Sequence, residues 1–319
     1  MGNLLTREGD AHGAADNAAP SNAAASTTPF PMHDWGAEWR QLQMRRRHAD
    51  DASFWDKRAP TFGTKDAPNP YVDRFLELAH VLPDESVLDM GCGTGALSVP
   101  LGAAGHRVIA ADFSRGMLDV LQQELARHGV SSVEPLRMSW EDDWAAHGIG
   151  ENAVDVCVAS RSIAVADLER ALLRLTDTTR RRVCVTLSTG ASPRTDERAL
   201  AAAGFEGMVW RDYLYAFNIL TAHGFKPEVS YIESERYDTF ATFDEAFEKY
   251  ADMVRTADVA LVATQADIER GIERMRAWLA DQLVENEHAG EIDSHGETQG
   301  ALRLREPRTI SWAFIAWEK

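Results

Sequence analysis

Positive charge is what this chain is short of. It carries 33 basic side chains against 50 acidic ones over 319 residues, a net charge of −17, with a sequence pI near 5.0. That balance has the wrong sign for a broad face that grips a phosphate backbone, so nucleic acid is not an expected partner. Cysteine is scarce too. Cys92, Cys157 and Cys184 form an odd set without metal-ligand spacing, which argues against a disulfide framework or a zinc site. Cys157 and Cys184 lie inside apolar runs and are expected as small core residues. Runs of about 18 apolar residues are missing, so neither a membrane span nor a membrane partner is expected. No basic stretch followed by an apolar core opens the chain, which predicts no secretory signal and a cytoplasmic protein. What is there, 45% hydrophobic, 8% aromatic and 26% charged residues, is ordinary globular composition, in a chain long enough for a sizeable core.

The segment Gly9 to Pro31 is rich in Ala, Asn, Ser and Thr without an apolar period. It reads as part of a disordered tail over residues 1–33, unable to bury enough surface to offset chain entropy. From Asp34 the pattern changes. Trp35, Trp39 and Leu42 recur at helical spacing, the cluster Phe54-Trp55-Asp56-Lys57-Arg58-Ala59 follows, and prolines bracket a further helix from Tyr71 to Val81. After Ser86, short apolar runs at 87–90, 107–111, 132–138, 154–159 and 182–187 alternate with helical segments at 96–104, 115–128 and 165–176. Strands alternating with helices predict a parallel sheet covered on both faces, and near-continuous apolar strands agree. The last third departs from this alternation. A helix at 213–223 and strands at 228–234 and 309–317 flank two helical stretches, 243–258 and 265–287. The second stretch carries Ile268, Ile272, Met275, Leu279 and Leu283 on one face, a core stripe. Glu287 to Gly300 is polar and acidic and is expected to be a mobile loop.

The chemistry-bearing feature is the glycine loop Asp89-Met90-Gly91-Cys92-Gly93-Thr94-Gly95, which follows a strand and opens a helix. Asp112 ends the next strand, close to the spacing of about 20 residues expected in a nucleoside-binding βαβ unit. Glycines let the backbone turn tightly and approach a ligand, and N–H groups face it at a helix N-terminus. A carboxylate at the tip of the second strand can accept both ribose hydroxyls. Gly91-x-Gly93-x-x-Ala96 also satisfies the dinucleotide fingerprint, so a nicotinamide oxidoreductase stays open. Against it, Asp89 would repel a pyrophosphate but suit a positively charged amino acid group. Gly95 extends the loop, and the sheet does not end like that of a dehydrogenase.

The run Val87 to Gly95, followed by Val108-Ile109-Ala110-Ala111-Asp112-Phe113-Ser114, resembles class I S-adenosylmethionine-dependent methyltransferases of the small-molecule type. Met117-Leu118 and Trp140-Glu141-Asp142 resemble later blocks of that family. The resemblance runs from Trp55 to Leu187, and the order of elements extends it to Trp317. It implies an α/β fold, a doubly wound, mostly parallel seven-stranded sheet with an antiparallel last strand. Helices over 34–82 would form a lid, and the core over 83–319 would carry a helical insertion at 243–300. It also implies S-adenosyl-L-methionine as cofactor. Asp89, Gly91, Cys92, Gly93 and Gly95 would line its methionine and ribose portions. Asp112 would bind the ribose hydroxyls, with Ser114 in the same set, and Phe113 and Met117 would pack against adenine. Trp140 and Glu141 would approach the adenine edge, Ser160 and Arg161 would face the sulfonium, and Arg58 would pair with the cofactor carboxylate.

Methyl transfer from a sulfonium is an in-line displacement that needs proximity and alignment rather than an enzyme nucleophile. A general base is needed only for a protonated oxygen or nitrogen acceptor, and Arg161, Tyr213, His223 and Glu141 are candidates by residue type alone. The strand at 228–234 is expected to run parallel and to send the insertion out on the active-site side, where it and the N-terminal helices would shape a pocket for a small-molecule acceptor. The Asn-Pro-Pro-aromatic motif of amino-methylating enzymes is absent. Arg45-Arg46-Arg47 and Arg180-Arg181-Arg182 read as solvated flanks. A catalytically silent cofactor-binding module is the alternative of a different class.

Overall fold

The computed structural model describes residues 33–46, 51–62, 69–190, 195–206, 211–257, 263–293 and 298–319. The tail read at Gly9 to Pro31 lies outside the described residues.

The apolar runs become the central strands. They are β1 (Val87–Met90), β2 (Val108–Asp112), β3 (Val133–Arg137), β4 (Val154–Ser160) and β5 (Thr179–Ser188), joined by β6 (Glu228–Arg236) and β10 (Arg308–Glu318) in the order β3-β2-β1-β4-β5-β10-β6. The first five pair in parallel. β10 is antiparallel to both β5 and β6, so β6 runs with the others, as expected. β1 lies wholly buried between β2 and β4. The connections leave it in opposite directions there, which opens a crevice at the carboxyl ends of the strands.

On one face, α1 (Trp35–Arg45), α6 (Leu168–Thr178) and α8 (Asp212–Ala222) cover the sheet. On the other lie α3 (Pro70–Ala79), α4 (Ser98–Ala103) and α5 (Arg115–His128). The segment 34–82 is thereby divided. Trp39 of α1 is completely buried and its Nε1 donates to the Val165 carbonyl at 2.7 Å. In α3, Phe75 packs edge-on against Phe314 at 5.1 Å. Both helices are core elements, and α2 (Ala52–Arg58) with its following turn is the part that stands over the crevice.

Two helices start later than their apolar pattern suggests. The one expected from Ala96 begins at Ser98, because the glycine loop needs further turns. The one expected from Val165 begins at Leu168, where Asp167 caps it by accepting from the Arg170 N–H.

The insertion holds α9 (Phe243–Thr256) and α10 (Gln265–Gln282). They pack with α7 (Glu197–Ala202) around Phe247, Tyr250, Ile272 and Met275 as a third apolar core. Strands β7 (Thr239–Phe240), β8 (Leu283–Glu285) and β9 (Leu302–Leu304) form a small antiparallel sheet beside it. Leu283, placed on a helix by its spacing, is extended instead. The expected mobile loop at 287–300 is tied down where it is described. Gly290 N–H donates to the Gln299 carbonyl and Gln299 N–H to that of Glu291, each at 2.9 Å. Polar composition there sets exposure, while backbone pairing sets order. No described helix is long and apolar enough to cross a membrane.

Candidate active site

The loop after β1 is pinned to β2: Gly91 and Cys92 N–H both donate to the Ala111 carbonyl, at 2.7 and 3.0 Å. Gly91 has φ +76, and a Cβ there would collide with Ser162, whose hydroxyl donates to the Met90 carbonyl at 2.6 Å. Glycine is required on both counts. Gly93, at φ +55, differs, because a Cβ on it would meet only the Phe62 ring at 3.8 Å. Its face is open toward the crevice.

Two carboxylates flank this loop. Asp89, 2% exposed within β1, accepts from the Ser98 hydroxyl at 2.6 Å. Burial pushes its pKa up to about 7, with the nearby Asp112 charge adding and the Ser98 bond opposing. Asp112 ends β2 with one oxygen accepting the Gly93 N–H and the other the Ser114 N–H, both at 2.9 Å. Burial raises its pKa as well, against the backbone bonds that favour the charged form.

These residues floor one end of a cavity of about 670 Å³, a size that suits a bound small molecule. Trp55 and Phe62, their rings edge-on at 5.4 Å, wall it beside Phe113 and Met117. Trp140 and Glu141 close the side beyond β3, where the Trp140 Nε1 donates to the Ser162 carbonyl at 3.0 Å. Past β4 and β5 the cavity continues over Ser160, Arg161, Ser188 and Trp312. Tyr71 reaches this end from α3, its hydroxyl 2.7 Å from Ser160 Oγ and 2.8 Å from Thr186 Oγ1. Burial raises its pKa. Arg161 has φ +57, its N–H donates to Thr186 Oγ1 at 2.9 Å, and its guanidinium sits 4.3 Å from the centre of the Tyr71 ring.

Residues 87–181, which hold this loop and β1 to β5, match the model of a methyltransferase domain. The chain is also 31% identical over 250 residues to an uncharacterised protein of Haemophilus influenzae, covering 78% of this chain and 87% of that one. The chain belongs to the class I S-adenosylmethionine-dependent methyltransferases. Within that family it is similar to the malonyl-[acyl-carrier protein] O-methyltransferase of Serratia marcescens, at 32% identity over 39% of this chain and 46% of that one. It is likewise similar to the ribosomal RNA small subunit methyltransferase A of Thermotoga neapolitana, at 32% identity over 27% of this chain and 31% of that one. The chain thus spans less than half the length of either named relative.

The cofactor of this methyltransferase is S-adenosylmethionine, and the residues present fit it. The open face of Gly93, the Asp112 carboxylate at the strand tip and the Phe113 and Met117 side chains share one end of the cavity. Asp89, Gly91, Cys92, Gly93, Asp112, Phe113, Met117, Trp140, Glu141, Ser160 and Arg161 all line it. Three expected site residues do not. Arg58 is exposed and lies 5.2 Å from the Phe54 ring centre, off the cavity wall, because it falls on the outer side of α2. Ser114 is fully buried and caps α5, with its oxygen accepting from the Met117 N–H and its hydroxyl donating to Asp56. Gly95, at φ +94, turns toward Leu121 and serves loop geometry.

Two of the base candidates also lie off the cavity wall. His223 pairs with Glu169 at 2.8 Å, and the Tyr213 hydroxyl meets that of Tyr231. The sequence reading missed Tyr71, which it took as a helix start, along with Phe62, Ser162 and Trp312. No local pattern marks them, since each enters from a different element. Asp56, one residue of the 54–59 cluster, is a junction. It accepts from Ser114 Oγ at 2.6 Å and Gly116 N–H at 2.8 Å, which joins α2 to the N-terminus of α5 and lowers its own pKa.

Proposed function

We propose that this methyltransferase transfers a methyl group to a small-molecule acceptor seated in the part of the cavity beyond β4. The observation that carries this reading is the extent of the cavity. It reaches from Asp112 on β2 to Trp312 on β10, well past the glycine loop, and is walled by Trp55, Phe62, Tyr71, Trp140 and Trp312. A concave chamber of this size with aromatic side chains in its walls suits a small molecule held beside the cofactor.

The Asp89–Gly93 loop would hold the methionine and ribose portions, Asp112 the ribose hydroxyls, Phe113 and Met117 the adenine face, and Trp140 and Glu141 its edge. When bound, the cofactor supplies a methyl group already activated on a sulfonium. The chain's task is alignment and exclusion of water. Trp55, Phe62 and Trp140 close the chamber sides, and the Tyr71 hydroxyl, held by Ser160 and Thr186, fixes the floor beyond β4.

A macromolecular acceptor is disfavoured by the charge pattern. Arg180, Arg181 and Arg182 stand at the start of β5, away from the cavity rim, and pair with Asp155, Glu85 and Glu318. No described residue of the 243–300 insertion lines the cavity, whose described lining comes from the core, α2 and its following turn, and α3.

Release of S-adenosylhomocysteine from separated small-molecule, RNA and protein fractions tests the reading. Turnover with the small-molecule fraction is expected, and turnover restricted to RNA or protein would overturn it. Turnover with no fraction would favour a silent binding module. In the same preparations, Asp112→Ala should weaken S-adenosylmethionine binding by about 1.5–3 kcal/mol in calorimetry. Unchanged affinity would remove Asp112 from the cofactor site.

A further inference from the structure

The charged groups of the cavity are unevenly spread. Its described lining carries three carboxylates, Asp89, Asp112 and Glu141, on β1, at the tip of β2 and beyond β3. It carries a single cation, Arg161, just past β4, two strands from Asp112 at the tip of β2. A cofactor with a sulfonium and an ammonium against one carboxylate has net positive charge and suits the acidic end. The basic end then faces whatever lies beyond the transferable methyl.

Arg161 is also set in place as a binding group is. Its backbone is left-handed at φ +57, a conformation that costs energy in a non-glycine residue and persists where surrounding contacts hold it. The contact here is its N–H bond to Thr186 Oγ1, the same oxygen that meets the Tyr71 hydroxyl. The guanidinium is laid over the Tyr71 ring at 4.3 Å. Among the described residues no side chain accepts a hydrogen bond from the guanidinium, whose forked N–H donors can take up a carboxylate or phosphate in paired fashion. Among the described residues no carboxylate forms an ion pair with it, although acidic side chains outnumber basic ones in the chain. Trp312 and Ser188, paired across β10 and β5, provide an aromatic surface and a hydroxyl at the same end.

We infer that Arg161 is the specificity determinant for the acceptor, which is a small molecule with an apolar or aromatic body and a carboxylate or other oxyanion that pairs with the guanidinium. This rests on the small-molecule reading above and moves Arg161 from the cofactor set to the acceptor set. The anion could instead be the cofactor's own carboxylate, and the experiment separates the two sources.

The protein is saturated with S-adenosylhomocysteine and titrated, by calorimetry, with a panel of aromatic and aliphatic carboxylic acids, each beside its neutral amide, with benzoate and benzamide as the first pair. The panel is repeated with Arg161→Gln and Arg161→Lys. At least one acid should bind about tenfold or more tightly than its amide, the scale of a charge-assisted hydrogen bond. Arg161→Gln should erase that preference and Arg161→Lys should retain part of it, with S-adenosylhomocysteine affinity unchanged in both. Equal binding of acids and amides, or binding by no acid, overturns the proposal. Loss of S-adenosylhomocysteine affinity in Arg161→Gln also overturns it and assigns the guanidinium to the cofactor. Turnover of neutral small molecules with equal efficiency would defeat this inference and leave the small-molecule reading standing, whereas turnover confined to RNA or protein would defeat that reading itself.

Discussion

Asp89 shows how one position serves the loop and titrates against the fold. It sits in a buried strand, 2% exposed, with one hydroxyl partner, and its pKa is raised from 3.8 to about 7. The folded state therefore holds a proton that the unfolded chain has released throughout that interval. The stability this proton confers is full below about pH 4 and is lost as the pH rises through 7. Asp89→Asn keeps an oxygen for Ser98 and removes the titration. Between pH 4 and 7, the urea-derived unfolding free energy of the wild-type protein should fall relative to that of Asp89→Asn. Parallel curves would show that Asp89 does not titrate in this range. At Gly91 and Gly93 the local demands differ although the motif treats them alike. One glycine avoids a collision with Ser162, and the other keeps an open face on the cavity.

Among the elements, α2 depends most on a single junction. It has no buried residue of its own, so its own burial does little to hold it. It docks instead through Asp56, which accepts from Ser114 and Gly116 at the start of α5, and through Trp55 and Phe62 packed around Ala59, Met117 and Val120. Ser114→Ala removes both the cap on α5 and the donor to Asp56. It should cost about 1 kcal/mol in urea unfolding and accelerate amide exchange over residues 52–61 while leaving the central strands protected. Unchanged exchange in α2 would show that its aromatic contacts suffice. The strand–helix alternation from Ser86 to Leu187 was legible because each element there follows its own apolar period. β7, β8 and β9 were not legible, since each spans no more than three residues, too short for a period to register.

At the scale of the whole molecule, the helical insertion meets the sheet through buried charge. Asp238, 3% exposed between β6 and β7, lies 3.1 Å from Lys249 of α9, 3.4 Å from Arg308 of β10 and 3.6 Å from Arg236 of β6. The Tyr250 hydroxyl sits between Asp238 and Asp196, the cap of α7. Removing the carboxylate takes away a contact shared by Arg308, which is 12% exposed, and by the more exposed Lys249 and Arg236. Asp238→Ala should therefore lose about 1.5–3 kcal/mol in denaturant unfolding, the scale of hydrogen bonds to a charged group. Amide exchange should rise first in α9 and α10, with S-adenosylmethionine affinity unchanged below the transition because none of these groups lines the cavity. An early loss of cofactor binding would show that the insertion supports the site after all.

The residues alone were enough for the parallel sheet, the glycine loop after β1 and the carboxylate at the tip of β2, since apolar periods and the backbone freedom of glycine act over a few residues. Folding in three dimensions decided who else shares the cavity. Tyr71 arrives on α3, Phe62 from the turn after α2, and Trp312 on a strand whose antiparallel register sets it opposite Ser188. Arg58 turned outward and Ser114 inward by helix phase and capping. The charge deficit is a property of the whole composition, but the place of Arg161, over Tyr71 and past β4, follows from long-range pairing that no local pattern encodes.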